Sequence, residues 1–288
     1  MASRAAVLAA ALASGCLIAP ASAAAAGNVS TAALQVALRA RSFYQGTIDG
    51  YAGPLTRAAV RALERRAGLP VDGIAGPRVR RALGRLGRPR LGSRAIRAGD
   101  VGWDVSGLQF RLAWHGFPSG DFDGDFGPQV DAAVRGFQRW AGLRVDGIAG
   151  PATLSSLRRR RIPVSPLHLL RPLDAPLGDP FGPRGDRFHS GVDLPAARGT
   201  AVRAAGGGRV AFAGYNAGGY GYLVVLQHAL GVTSWYAHLS RIAVRPRERL
   251  RAGGLVGRVG ATGHATGPHL HFEVRVRGAA VDPLTALR

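Results

Sequence analysis

Histidine is scarce in this chain of 288 residues, yet six of its eight histidines fall between His189 and His271. The surrounding strings are Phe188-His189-Ser190-Gly191-Val192-Asp193, Tyr236-Ala237-His238-Leu239 and Gly267-Pro268-His269-Leu270-His271-Phe272-Glu273. Imidazole nitrogen and carboxylate oxygen are donors that zinc accepts, and a catalytic zinc takes three protein ligands and keeps one position open. Two histidines and one carboxylate meet that need. Each histidine taken singly is better explained as a satisfied structural residue; the joint occurrence of the three strings reverses that balance.

The elements that must carry these residues are strands. From Leu173 onward, short β-branched runs alternate with glycine clusters: Val210-Ala211-Phe212, Tyr222 to Leu226, Val232 to Tyr236, Leu255-Val256 and His271 to Val276. This texture predicts a mostly antiparallel β domain over 172–288. In its last strand, Leu270, Phe272, Val274 and Val276 point one way and His269, His271 and Glu273 the other. His269 and His271 then lie about 6–7 Å apart along one face. His238 falls opposite in phase to Trp235, Ala237 and Leu239, which predicts that it looks out from a sheet packed on its other side. His228 reads as structural or as an outer partner of a site residue, His264 as an exposed turn residue, and Glu273 as either a partner of His271 or a surface charge. Gly206-Gly207-Gly208 and Gly218-Gly219 read as turns, because no helix pattern follows them to make a phosphate site.

The first half is a repeat. Residues 34–83 align with 108–157 without a gap at a constant offset of 74, and Val71-Asp72-Gly73-Ile74-Ala75-Gly76-Pro77 recurs unchanged from Val145 to Pro151. Helix-period apolar residues such as Leu34, Leu38, Ala59 and Leu63 lie between Asp-Gly turn signals. Each unit, 30–84 and 100–158, is therefore expected to be a small all-α bundle of three helices. The whole chain reads as multidomain: two three-helix repeats, then the β domain. The arginine-, glycine- and proline-rich stretches Gly84 to Asp100 and Arg158 to Pro172 read as exposed linkers.

The formal net charge is +21, but all 38 basic residues are arginine and none alternates with aromatics as a base-stacking platform would require. Nucleic acid is thereby disfavoured, and attraction to an anionic wall polymer accounts for the charge as well. Residues 1–27 read as a secretory signal peptide: Arg4, the apolar stretch Ala5 to Ile18, and the small-x-small site Ala21-Ser22-Ala23. The segment is too short for a lasting membrane span. The chain is expected to be secreted and wall-associated, with lipid anchoring through Cys16, the single cysteine, as the less favoured route.

Two resemblances add to this. The repeats resemble the peptidoglycan-binding domain family through Leu108-Gln109, Asp123-Gly124, Phe126-Gly127, Ala133-Val134, Phe137-Gln138, Gly142-Leu143 and Val145-Asp146-Gly147. The first repeat departs at Ala52 and at Leu63-Glu64. The pattern itself consists of turn formers and core; the resemblance implies anchoring to peptidoglycan. Residues 173–288 resemble the lysostaphin-type (LytM-like) zinc metalloendopeptidases, through Phe181-Gly182-Pro183-Arg184, His189-x-x-x-Asp193, Tyr236-Ala237-His238-Leu239-Ser240 and the long string Thr262 to Val274. Carried over residue by residue, the resemblance implies His189, Asp193 and His271 as ligands of one Zn2+ per chain, with His238 and His269 as the catalytic pair. It also implies hydrolysis of peptide bonds in peptidoglycan. Some relatives of this kind have lost ligands and act as activators of other hydrolases, so a wall-binding scaffold is the alternative.

Overall fold

Four of the helices begin in the same way. In a computed structural model describing residues 27–288, a glycine N-cap followed by proline opens α2 (Pro54–Arg66), α3 (Pro77–Ala82), α5 (Pro128–Ala141) and α6 (Pro151–Arg159). Proline suits the first helical position, where its missing N–H has no intrahelical partner to lose and its φ is already helical. With α1 (Val29–Arg39) and α4 (Trp103–Trp114) these make two three-helix units, as the repeat predicts. The expected signal peptide, Cys16 included, lies outside the described residues except for Gly27. No helix among the described residues is long and apolar enough to cross a membrane.

The recurrent Leu-Gln and Asp-Gly signals are one device. Gln109 accepts from Gly124 N–H at 2.9 Å and donates to Asp123 Oδ1 at 2.8 Å. Gln35 does the same with Gly50 and Asp49, at 2.9 and 2.8 Å. Gln138 ties Asp146-Gly147 likewise, and Glu64, which stands in its place in the first repeat, accepts from Gly73 N–H at 2.9 Å. These side chains are buried, so each turn is fixed by a group with no water to replace it. Replacing Gln109 by leucine strands the Gly124 N–H and should cost about 1–3 kcal/mol. Urea unfolding followed by helical circular dichroism would register this as an earlier transition; an unmoved transition would make the tie dispensable.

The stretches expected to be exposed linkers are partly built in. Ile96 is fully buried and exchanges backbone hydrogen bonds with Ala149, at 3.3 and 2.9 Å. Leu169 is buried in the core of the β domain, its N–H bonded to the Ala286 carbonyl at 2.8 Å. Arginine and glycine richness marks a lack of periodicity, and a single apolar residue within such a stretch is enough to pin it.

The β domain opens with a hairpin, β1 (Gly182–Arg184) and β2 (Arg187–His189), followed by β3 (Val192–Pro195) and β4 (Ala201–Arg203). Then come β5 (Gly208–Asn216), β6 (Gly221–Gln227), β7 (Val232–Leu239), β8 (Arg241–Ile242), β9 (Arg249–Leu250), β10 (Leu255–Arg258), β11 (His269–Val276) and β12 (Ala279–Val281). The main antiparallel sheet runs β12-β11-β7-β6-β5-β9, with β3 also paired to β11, and a smaller sheet runs β4-β10-β8. One face of the main sheet supplies Val224, Leu226, Tyr236, Leu270, Phe272 and Val274, and the smaller sheet adds Val202 and Val256 to the same core. The other face carries His271 and Glu273 beside a small apolar cluster of Leu223, Val225 and Ala237.

The repeats and the β domain touch at the β1–β2 hairpin. The N–H of Ile48 donates to the Gly185 carbonyl at 2.8 Å, and that of Phe122 to the Asp186 carbonyl at 2.6 Å. Ile48 and Phe122 are equivalent positions of the two repeats, separated by the repeat offset. Arg39 pairs with Asp186, and Arg187 pairs with Asp121. Phe188 packs edge-on against Trp114, ring centroids 5.3 Å apart, and is immediately followed by His189.

Candidate metal centre

Strand register brings the three candidate ligands together. His271 on β11 lies directly opposite Asp193 on β3, and β2 delivers His189 beside them. His271 Nδ1 is 2.8 Å from Asp193 Oδ1 and 3.0 Å from His189 Nε2, and His189 Nε2 is 3.1 Å from the same oxygen. Each group is anchored through its other polar atom. His189 Nδ1–H donates to the Pro180 carbonyl at 2.8 Å, and His271 Nε2–H donates to Glu273 Oε1 at 3.0 Å. Asp193 Oδ2 accepts from Arg184 at 3.2 Å.

These outer partners accept or donate in only one sense, which fixes the tautomers. Three lone pairs then converge on one point, an arrangement that needs a positive charge between them. Protons or a cation satisfy it. Burial alone would push His271 down, but the Asp193 and Glu273 carboxylates outweigh it and hold the ring up at about 9. Burial would raise Asp193, and His189 and His271, which hydrogen-bond to it when they carry the extra proton, instead hold it well below the usual carboxylate range. The donor set, two imidazoles and one carboxylate, suits a borderline divalent cation such as zinc.

His269 and His238 stand beside this cluster. His269 Nε2 is 3.7 Å from Asp193 Oδ1, and its Nδ1–H donates to the Gly267 carbonyl at 2.9 Å. His238 Nδ1–H donates to the Thr262 carbonyl at 2.7 Å, and its ring centroid is 4.8 Å from that of His269. Burial pushes His238 down to about 4, against the smaller opposing pull of the Thr262 carbonyl. With Nδ1–H committed to a backbone carbonyl, each ring keeps a bare Nε2. The five residues line one open cleft of about 750 Å³ with Arg184, Tyr220 and His264.

The way His238 reaches the cleft corrects the alternation argument. Trp235 and Ala237 lie opposite Glu273 and His271, so they share the face of those residues. Regular alternation would turn His238 into the core with Tyr236. Instead its φ is +59° and the β6–β7 register slips between Tyr222 and Val224, an added residue that swings the ring back to the cleft. His228, as expected, is structural: its nitrogens are taken by the Gly207 carbonyl and Ser234 hydroxyl, each at 2.8 Å. His264 is exposed at the cleft rim.

Glu273 is no surface charge. It is fully buried and accepts from His271, Ser190, Tyr220 and Arg275, at 3.0, 2.6, 2.8 and 2.6 Å. Burial would raise its pKa, but the Arg275 guanidinium leads the opposing effects and holds it low. Arg275 in turn lies over Trp235, 4.0 Å from the ring centre. Sequence reading gave Arg184, Tyr220 and Arg275 no role. Arg184 falls in the Phe-Gly-Pro-Arg string and Arg275 is in phase with Glu273, whereas nothing local marks Tyr220. Glu273→Gln should weaken metal retention about 10–100-fold, the usual effect of losing an outer partner of a ligating histidine. Competition with a chelator of known affinity measures it; unchanged retention would make Glu273 purely structural.

Residues 187–283 match the model of Peptidase family M23, and residues 28–83 and 102–157 match that of a peptidoglycan binding domain. The C-terminal domain is an M23 peptidase domain. The chain is 43% identical over 115 residues to the DD-carboxypeptidase/endopeptidase Mpg of Neisseria meningitidis, a stretch covering 38% of this chain and 26% of that protein. It is 34% identical over 116 residues to the murein hydrolase activator NlpD of Salmonella typhimurium, covering 40% of this chain and 30% of the relative. The chain thus spans less than a third of the length of these relatives. Among solved structures, the catalytic domain of lysostaphin from Staphylococcus simulans is 32% identical, covering 38% of this chain and 90% of that one, with a TM-score of 0.37. A zinc-containing peptidase from Vibrio cholerae is 31% identical, covering 41% of this chain and 39% of that one, with a TM-score of 0.38. The M23 domain begins inside the hairpin that the repeats grip, so its first candidate ligand stands next to the docked segment.

Proposed function

We propose that the protein is a zinc-dependent endopeptidase that hydrolyses peptide bonds in peptidoglycan, exported to the cell envelope and held on the wall by its two repeats. The observation that carries this reading is the convergence of His189, Asp193 and His271 with His238 and His269 in a single open cleft. When bound there, zinc would polarise the scissile carbonyl and acidify a water. His269 takes the proton of the attacking water at its bare Nε2 and passes it to the leaving amine. His238 steadies the charge that builds on the tetrahedral oxygen once its Nε2 carries a proton, and the two rings, each held through Nδ1 by a backbone carbonyl, can exchange these roles. Asp193 is oriented by Arg184, and His271 by Glu273, which keeps the ligand atoms fixed as charge moves.

The repeats supply retention on an insoluble polymer, which raises the local concentration of the cleft at its substrate. Similarity to a protein named as a hydrolase activator favours a second reading, a wall-binding regulator without turnover. The complete set of five side chains speaks for the enzyme. Digestion of purified walls of several chemotypes, with mass analysis of the fragments, tests it. New amino and carboxyl ends at one peptide bond are expected; intact walls in every chemotype, with zinc supplied, would favour the regulator.

A further inference from the structure

His189 differs from the other two candidate ligands in what carries it. Asp193 and His271 face each other across the β3–β11 ladder. His189 instead ends β2, whose ladder partner among the described residues is β1 alone. A two-stranded hairpin is marginal by itself, so a ligand placed on one needs support from elsewhere. The base of the hairpin is tied to β3 through Gly178 and Asp179, which exchange backbone hydrogen bonds with Asp193 at 2.8 and 2.9 Å. That tie does not reach the turn at Gly185-Asp186.

Both repeats close on the turn. Ile48 N–H donates to the Gly185 carbonyl and Phe122 N–H to the Asp186 carbonyl, so both carbonyls of the two-residue turn are taken. Each donor immediately precedes an Asp-Gly pair tied down by a buried glutamine, Gln35 in one repeat and Gln109 in the other. The ion pairs Arg39–Asp186 and Arg187–Asp121 flank the turn, but such pairs count for little at exposed sites. Phe188 counts for more. It is 8% exposed, and every other buried member of its apolar cluster, from Ala32 to Phe122, belongs to the repeats.

The residue before His189 is thus seated in a core built by the helical units. Successive strand residues point to opposite faces, so with Phe188 seated there His189 turns toward Asp193 and His271. Trp114 meets Phe188 edge-on, and its Nε1 has no hydrogen-bond partner among the described residues, so the contact is ring on ring. We propose that the paired repeats are a working part of the metal centre. They clamp the hairpin so that His189 stays aligned with Asp193 and His271, with Trp114 as the positioning residue that acts through Phe188. That the aligned groups bind zinc rests on the function proposed above; the clamp itself does not.

Zinc affinity of the intact chain, measured by competition with a chelator of known affinity, tests this together with hydrogen exchange. Trp114→Ala should weaken zinc by about tenfold or more, as when a ligating histidine loses what orients it. Trp114→Phe should restore the original affinity, since it refills the ring contact and breaks no hydrogen bond. Phe137→Leu alters the second repeat's own core, in a cluster that does not include the hairpin. It should lower the melting temperature and leave zinc affinity unchanged. Cobalt(II) in place of zinc reads the geometry: its visible absorption should change in Trp114→Ala and match the unmodified protein in the other two variants. In the metal-free unmodified chain, residues 182–189 should exchange as slowly as the helices of the repeats. Undiminished zinc affinity in a folded Trp114→Ala chain, equal weakening by Phe137→Leu, or hairpin exchange at the rate of an exposed loop would each overturn the clamp. Should Trp114→Ala fail to fold, the exchange measurement decides. An unmodified chain that binds no zinc would overturn the metal reading instead, and hairpin exchange would still test the clamp.

Discussion

His271→Ala is expected to strip the protein of its metal and to reduce wall hydrolysis to background. His271 is the hub of the cluster: its Nδ1 meets both other candidate ligands, and its Nε2 is held by Glu273. Losing an outer partner of a metal-bound histidine costs about 10–100-fold in affinity, and losing the ligand itself should exceed that. The alanine leaves His189 and Asp193 in place but only two donors, too few to hold zinc against a chelator. Metal content after dialysis against a chelator, with fragment release from walls, gives both readings. Retention of a full equivalent of metal by this variant would remove His271 from the ligand set.

His269→Ala is expected to separate metal from turnover. The side chain lies 3.7 Å from Asp193 Oδ1 and is no nearer than that to the ligand atom, so the cluster should keep its ion. What disappears is the bare Nε2 proposed to accept the proton of the attacking water. Loss of a general base typically lowers turnover about 10²–10⁴-fold. An inactive variant with undiminished metal is the expected result. A fully active one would assign proton transfer to His238, and loss of the metal would place His269 among the ligands. His238 is the residue to compare, because its ring is fixed in the same sense by a backbone carbonyl.

Much of this architecture was legible in the sequence because it rests on periodicity and repetition. The offset of 74 revealed two equivalent bundles, and the alternation from Leu270 to Val276 placed His271 on the open face and Phe272 in the core. Interactions distant in sequence were not legible. His238 reaches the cleft through a backbone irregularity at positive φ, which alternation cannot anticipate. Glu273 looks like any acidic residue in an alternating strand until Tyr220 and Ser190, from distant segments, close over it. The seat of Phe188 was invisible for the same reason: only folding places it among the buried residues of both repeats.

The contact between repeats and hairpin carries a mechanical consequence. Equivalent N–H groups of the two repeats grip the turn at Gly185 and Asp186, and Trp114 packs on Phe188 beside His189. Docking of the repeats and positioning of His189 therefore share one segment of backbone.

Metal analysis of the freshly purified intact chain, run in parallel with cleavage of its wall substrate before and after chelation, tests the metallopeptidase reading most directly. One zinc per chain, activity lost on chelation and regained when zinc is returned, is the outcome expected from two imidazoles and a carboxylate meeting at one point. Undiminished peptide-bond cleavage by a chain demonstrably free of metal would contradict it.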